Sequence, residues 1–252
     1  MTGKIFVTGG TGTLGKHTVP LLHAAGYDLR LLSRKQHDAA PGVEYVTGDL
    51  AVGEGLDAAL AGVEVVLHMA GGKKGDDVAT RNLVEAAARA GVRHIVYISV
   101  VGADRVPVAW LRMKAEAERA VRESGVPWTI LRAAQFHDLT LTAVRAMAKS
   151  PIVPKPGGLR FQPVDARDVA ARLAELVQGA PAGLVPDIVG PEVITMGDLT
   201  KSYLKATGKH RVFLPVHIPG KMGKAYRAAD NLTLEGALVG KGTWADFLAS
   251  HV

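Results

Sequence analysis

The chain contains no cysteine. Disulfides, thiolate nucleophiles and zinc–thiolate sites are therefore excluded. Aromatic residues make up only 5% of it, and no positive stripe carries aromatics between its lysines and arginines. The basic excess is modest: 30 Lys and Arg against 24 Asp and Glu, a net charge of +6. It is also scattered among acids, as in "KAEAERAVRE" (Lys114–Glu123). This pattern suits a solvated basic surface rather than a nucleic-acid footprint. No apolar stretch approaches the ~20 residues of a membrane span. The short apolar run Lys4–Thr8 breaks into glycines and lacks the long apolar segment of a signal peptide. A cytoplasmic protein with a small-molecule partner is expected, without nucleic acid or membrane, as a monomer or a homodimer.

Several chemistries are missing as well. The nine histidines form no HExxH spacing, so no metal site is expected. There is no GxSxG nucleophile elbow. "GTLGKH" (Gly12–His17) lacks the hydroxyl that a P-loop needs after its lysine. Asp165 and Asp168 read as carboxylates at a helix start, not as a catalytic dyad.

What remains is alternation. Short β-rich runs stand at Ile5–Thr8, Leu29–Leu32, Val43–Thr47, Val63–Met69, His94–Ser99 and Trp128–Arg132. Helical spacing fills Leu14–Ala25, Val78–Ala90 and Pro107–Ser124. Alternating strands and helices predict βαβ units, and unbroken apolar strands such as "VEVVLHMA" predict a parallel sheet covered on both faces. After Arg132 the pattern loosens. "SPIVPKPGGLRFQPVD" (Ser150–Asp165) reads as a loop with a short strand, and Thr195 with Asp198 predicts another helix start.

The first strand runs into "TGGTGTLG" (Thr8–Gly15), which places Gly9, Gly12 and Gly15 as GxxGxxG between a strand and a helix. In that context each glycine has a task. Gly9 makes the tight turn, Gly12 clears the backbone for a pyrophosphate, and Gly15 lets the helix pack closely on the strand. The helix start offers N–H groups and a positive dipole end to phosphates, and Thr11 and Thr13 add hydroxyls. At the end of the next strand a NAD-binding unit places an acid on the ribose 2′-hydroxyl. This chain has Ser33, Arg34 and Lys35 instead. An arginine fork and a serine hydroxyl suit a 2′-phosphate, so the expected cofactor is NADP(H). "TGDL" (Thr47–Leu50) offers Asp49 to the adenine amino group and Leu50 to its ring. In "HMAGG" (His68–Gly72) the small residues allow a ribose and nicotinamide to lie against the backbone, and His68 reads as a buried, satisfied histidine.

Together "TGGTGTLG", "LLSR" (Leu31–Arg34), "GDL" (Gly48–Leu50), "AGVRHIVYISVVGAD" (Ala90–Asp104), "SGVPWTILRAAQF" (Ser124–Phe136) and "FQPVDARDVA" (Phe161–Ala170) resemble the short-chain dehydrogenase/reductase superfamily, in its atypical NmrA-like NAD(P)-binding branch. The resemblance implies an α/β fold: a Rossmann-type doubly wound parallel sheet with a small C-terminal substrate lobe. The whole chain, 1–252, is then one NAD(P)-binding domain, with 1–150 mainly core and 151–252 mainly lobe. The cofactor set it implies is Gly9, Thr11, Gly12, Thr13, Leu14, Gly15, Ser33, Arg34, Gly48, Asp49, Leu50, Met69, Ala70, Gly71, Lys114, Ala133, Gln135 and Phe136. It implies an NADPH-dependent reductase, and the expected acceptor is small or medium and apolar: a quinone, imine, enone or carbonyl. It also admits members that bind NADP as redox sensors without turnover.

The superfamily's catalytic pair is Tyr-x-x-x-Lys on the helix after the fifth strand. The matching residues here are Trp110 and Lys114 in "AWLRMK". Lys114 is expected to hold the nicotinamide ribose, but an indole supplies no acid. Ser99 matches the usual serine. Three routes stay open: hydride transfer to an electron-poor quinone, imine or enone with water as the proton source; a substitute donor, for which His137 in "AAQFHD" is the expectation; or no catalysis. His137 beside Asp138 reads equally as a helix-start residue, and Trp110 as packing or as the wall of an apolar pocket.

Overall fold

The computed structural model describes residues 3–38, 41–72 and 74–252. In chain order the elements are β1 (Ile5–Thr8), α1 (Gly15–Ala24), β2 (Leu29–Ser33), β3 (Val43–Thr47), α2 (Leu56–Leu60), β4 (Val65–His68), α3 (Asp76–Arg89), β5 (His94–Val100), α4 (Ala109–Glu123) and β6 (Trp128–Ala133). There follow α5 (His137–Met147), β7 (Ile152–Pro156), β8 (Arg160–Phe161), α6 (Ala166–Gln178), β9 (Gly183–Leu184), β10 (Ile188–Val189), β11 (Ile194–Thr195), α7 (Met196–Ala206), β12 (Val212–Val216), α8 (Gly220–Arg227), β13 (Leu238–Val239) and α9 (Trp244–His251).

The chain divides into two compact units, and neither ends near residue 150. The first comprises Met1–Ser99, Arg112–Leu131 and Val169–Val185; the second comprises Val100–Leu111, Arg132–Asp168 and Pro186–Val252. The chain enters the second unit three times, so the units are not separated at a single point in the sequence.

In the first unit the strands lie in the order β6-β5-β4-β1-β2-β3, with β9 added to β6. The order reverses at β1, which pairs in parallel with both β2 and β4. Nucleotides bind at such a reversal, outside the carboxyl ends of the strands. A core of Phe6, Leu60, Val66, Leu83, Val84, Ile95, Tyr97, Ala117 and Ile130 is buried in this unit. The strands read as continuous apolar runs because both faces are covered: β1 and all of β5 but its last residue are buried. The short helix α2 has no signature in the sequence. It starts after Gly55 in the left-handed region and is only five residues long.

In the second unit β10 pairs with Ala133 at the end of β6 and with β13. Two small sheets, β7 with β12 and β8 with β11, stand apart from it. Leu141, Val144, Leu199, Tyr203, Trp244 and Phe247 form its main core. Thr195 caps α7 by accepting from the Asp198 N–H, as the sequence predicts, and Thr243 caps α9 in the same way through Asp246. Asp165 also works at a helix start, where Oδ1 accepts from the Arg167 N–H. Asp168 stands in the first turn of α6, as the sequence predicts, and its Oδ2 also accepts from the N–H groups of Lys241 and Gly242, which ties a distant loop to the helix.

Candidate active site

The glycine loop follows β1. Gly9 has φ of +72°, and a Cβ there would lie 2.6 Å from the Ala70 nitrogen. Only glycine meets both demands without strain. A Cβ on Gly15 would lie 2.3 Å from the Gly10 carbonyl oxygen, which accounts for the close helix–strand packing. Gly12 differs. It is exposed, and the nearest atom to its added Cβ is the Gly9 oxygen at 3.3 Å. The space beside it is open. Helix α1 begins with Leu14 at its N-cap and no side-chain cap. Among the described residues none accepts from the N–H groups of Thr11, Thr13 or Leu14. Uncapped donors at a helix start, beside a side-chain-free approach, fit a pyrophosphate.

At the end of β2, Ser33 Oγ accepts from the Lys35 N–H at 3.1 Å and lies 2.9 Å from His37 Nε2. Arg34 is exposed beside it. His37 stacks on Tyr45 with ring centroids 4.7 Å apart. Sequence reading misses both, because neither has a motif and only the β2–β3 pairing makes them neighbours. After β3, a Cβ on Gly48 would lie 2.8 Å from the Glu54 oxygen. Asp49 Oδ1 accepts from the Ala51 N–H, so this carboxylate also holds its own turn. Leu50 packs against the unit's core.

The loop after β4 is stitched to β1. The Met69 N–H donates to the Thr8 carbonyl and the Ala70 N–H to Thr8 Oγ1. Beneath it runs a buried polar chain. Thr8 Oγ1 lies 2.6 Å from His68 Nδ1, His68 Nε2 lies 3.0 Å from Thr80 Oγ1, and Thr80 Oγ1 donates to the Asp76 carbonyl at 2.7 Å. Since Thr80 gives its proton to Asp76, His68 must donate through Nε2 and accept from Thr8 through Nδ1. Burial, assisted by the Lys114 charge, lowers the His68 pKa to about 3. His68 is thus neutral and satisfied, as expected, and is not a proton donor.

Lys114 projects from α4 into a cage in the same unit. Its Nζ lies 2.8 Å from Asp76 Oδ2, an ion pair without the angle of a hydrogen bond, and donates to the Tyr97 hydroxyl at 3.2 Å. Both acceptors are buried. Burial, with the charges of Asp76 and Glu118, raises the Tyr97 pKa well above its usual value, so the phenol stays protonated. Asp76 and Tyr97 escape sequence reading. An acid at a helix start and an aromatic in a strand are both ordinary, and only the fold sets them around one ammonium.

Three expected active-site residues are held by partners of their own. Ser99 is buried and donates to Glu118 Oε1 at 2.6 Å, so its hydroxyl is engaged inside the unit rather than facing a substrate. His137, in the second unit, is fully buried: Nε2 lies 3.0 Å from the Pro163 carbonyl, and the ring contacts Trp244 and Phe247. Burial lowers its pKa, partly offset by the Pro163 carbonyl. This environment argues against the expected donor role. Its neighbour Asp138 sits in the first turn of α5, whose N-cap is Phe136. Trp110 packs against Val106, Leu111 and Ala225, a cluster that Tyr226 also joins. Ala133 is buried and accepts from the Val101 N–H, while Gln135 and Phe136 are half-buried beside Val164. Among the described residues no group of His, Asp or Glu could hold a metal ion, and no helix is long and apolar enough to cross a membrane.

A family profile described as NAD(P)H-binding matches residues 9–180. The chain is 34% identical over 212 residues to a (4-alkanoyl-5-oxo-2,5-dihydrofuran-3-yl)methyl phosphate reductase of Streptomyces griseus, which covers 81% of this chain and 74% of that one. It is 32% identical over 213 residues to an NAD(P)H azoreductase of Xenophilus azovorans, again 81% of this chain and 74% of the relative. Among solved structures, an NADPH-dependent quinone oxidoreductase of Escherichia coli complexed with NADPH matches with a TM-score of 0.81 at 22% identity, over 98% and 99% of the two chains.

Proposed function

The chain belongs to the NAD(P)H-binding oxidoreductase family, and from that premise we propose that it is an NADPH-dependent reductase of small or medium apolar acceptors. A quinone, an azo compound or imine, and an activated enone are the classes that fit. The supporting observation is the Lys114 ammonium, held beside Gly71 at the carboxyl edge of the sheet that also carries the glycine loop. The bound cofactor supplies the hydride. The protein's part is to hold it. The N–H groups of Thr11, Thr13 and Leu14 take the pyrophosphate, Ser33 and Arg34 take the 2′-phosphate, and Lys114 takes the ribose next to the nicotinamide.

Substrate preference follows from the missing acid. With Trp110 in the tyrosine's place, Ser99 donating to Glu118 and His137 buried with Nε2 on the Pro163 carbonyl, the expected set offers no exposed acid. Electron-poor acceptors, whose reduced forms take a proton from water, need none. The decisive experiment follows NADPH absorbance while quinones, azo dyes, enones and simple ketones are supplied. Consumption with the first three and not with ketones is expected. The same missing acid favours a second reading, an NADP(H)-binding sensor. Tight cofactor binding without consumption of NADPH by any acceptor selects it.

A further inference from the structure

An ammonium has three protons to donate. On Lys114 one of these goes to the Tyr97 hydroxyl at 3.2 Å, and Asp76 Oδ2 stands 2.8 Å from Nζ as an ion-pair partner outside hydrogen-bond angle. Among the described residues nothing else accepts from it. The Tyr97 ring lies alongside, its centroid 5.1 Å from Nζ. On another side stands Gly71, which is exposed and whose added Cβ would fall 3.2 Å from Nζ and 3.5 Å from Asp76 Oδ1. Any side chain there would occupy the space beside the charge. The ammonium is therefore gripped by two buried groups and open over a residue that offers no side chain.

The grip is rigid at its base. Asp76 is the first residue of α3 and only 4% exposed. Its carbonyl takes the Thr80 hydroxyl, which joins it through His68 to Thr8 at the foot of the glycine loop. One buried chain thus links the end of β1, the end of β4 and the carboxylate that holds Lys114. A free lysine samples many rotamers, and a fixed carboxylate removes that freedom before the ligand arrives.

We propose that Asp76 is the positioning residue of this site: together with Tyr97 it holds the Lys114 ammonium so that a free N–H serves the nicotinamide ribose hydroxyls over Gly71. The role rests on the reading of Lys114 as the ribose ligand. It separates Asp76 from an ordinary helix-start acid, whose effect would be on stability alone.

A double-mutant cycle on NADPH affinity tests it, with the full chain titrated by calorimetry and its melting temperature recorded in parallel. Asp76→Asn should weaken NADPH binding by about tenfold, the scale of one charge-assisted contact. Lys114→Met should do the same, and the double variant should bind no more weakly than Lys114→Met alone. Asp76→Glu should recover part of the loss. If Asp76→Asn keeps wild-type affinity while Lys114→Met loses it, the positioning role is wrong and the ribose reading stands. An equal loss from Asp76→Asn in both backgrounds also overturns the role. If Lys114→Met binds NADPH as tightly as wild type, the ribose reading fails and takes the proposal with it. Should the amide variant not fold, Asp76→Ser, with a side chain favoured at helix starts, replaces it in the cycle.

Discussion

His68 and Tyr97 stand at the same register on the adjacent parallel strands β4 and β5, and their rings stack 5.1 Å apart. Neither ring reaches solvent. The pairing makes a floor under the Lys114 cage, and it gives the protein a titratable group that folding keeps neutral. His68 binds a proton near pH 6.5 in the unfolded chain but only near pH 3 in the folded one. The unfolded state therefore holds the extra proton between these values. The His68 contribution is whole above pH 6.5 and is lost as pH falls toward 3, at up to ~1.4 kcal/mol per pH unit. Melting curves from pH 7 to pH 4 should show wild type losing stability more steeply than His68→Gln, which has no proton to gain. Parallel curves would contradict the assigned neutral state.

The glycines of the loop should separate by role. Gly15→Ala places a Cβ 2.3 Å from a carbonyl oxygen and should cost ~1–3 kcal/mol or more of stability. Gly12→Ala meets only the Gly9 oxygen, at 3.3 Å, and should cost less stability than Gly15→Ala. Its NADPH affinity should nevertheless fall by about tenfold or more, because the methyl group stands where the pyrophosphate approaches. Thermal melts and NADPH titrations of the two variants read both quantities.

Arg34 is exposed at the end of β2, and a charged hydrogen bond to phosphate is worth ~1.5–3 kcal/mol. Arg34→Ala should weaken NADPH binding by about tenfold to a hundredfold and leave NADH binding nearly unchanged. Equal losses for both cofactors would remove Arg34 from 2′-phosphate recognition.

Trp110 lies four residues before Lys114 on α4, the spacing that brings two side chains to one helical face. Trp110→Tyr restores a hydroxyl at that place. Ketone or aldehyde reduction should rise by about a hundredfold, the lower range of general acid catalysis, while quinone reduction changes little. Steady-state rates with one acceptor of each class check this. A fall with both classes would show that the indole's packing matters more than the missing acid.

Much of this site is legible in the sequence because its parts are local. A strand, GxxGxxG and a helix are contiguous, and their spacing carries the geometry of the phosphate turn. The reading of Ser33 and Arg34 needs only the next strand's end. The strand bounds predicted for β1 and β3 coincide with those observed, and for β1 the apolar run, closed by the glycines, leaves little room for error. The missing tyrosine at Trp110 is visible in the same way, through one helical interval.

What surrounds Lys114 is not local. Asp76, Tyr97 and Lys114 come from α3, β5 and α4, and no interval in the chain relates them. The burial of Ser99 against Glu118 and of His137 against Pro163 is likewise hidden, because a motif names a residue and not the direction its side chain takes. The interleaving of the two units follows from strand pairing across long separations, as when Ile188 joins Ala133. The sequence by itself therefore determined the glycine turn between strand and helix and the tryptophan four residues before Lys114, both of which depend on neighbours within a few residues. Only the tertiary structure decided which groups hold the lysine and which hydroxyls and imidazoles are already engaged, since packing of distant segments, not spacing, sets those contacts.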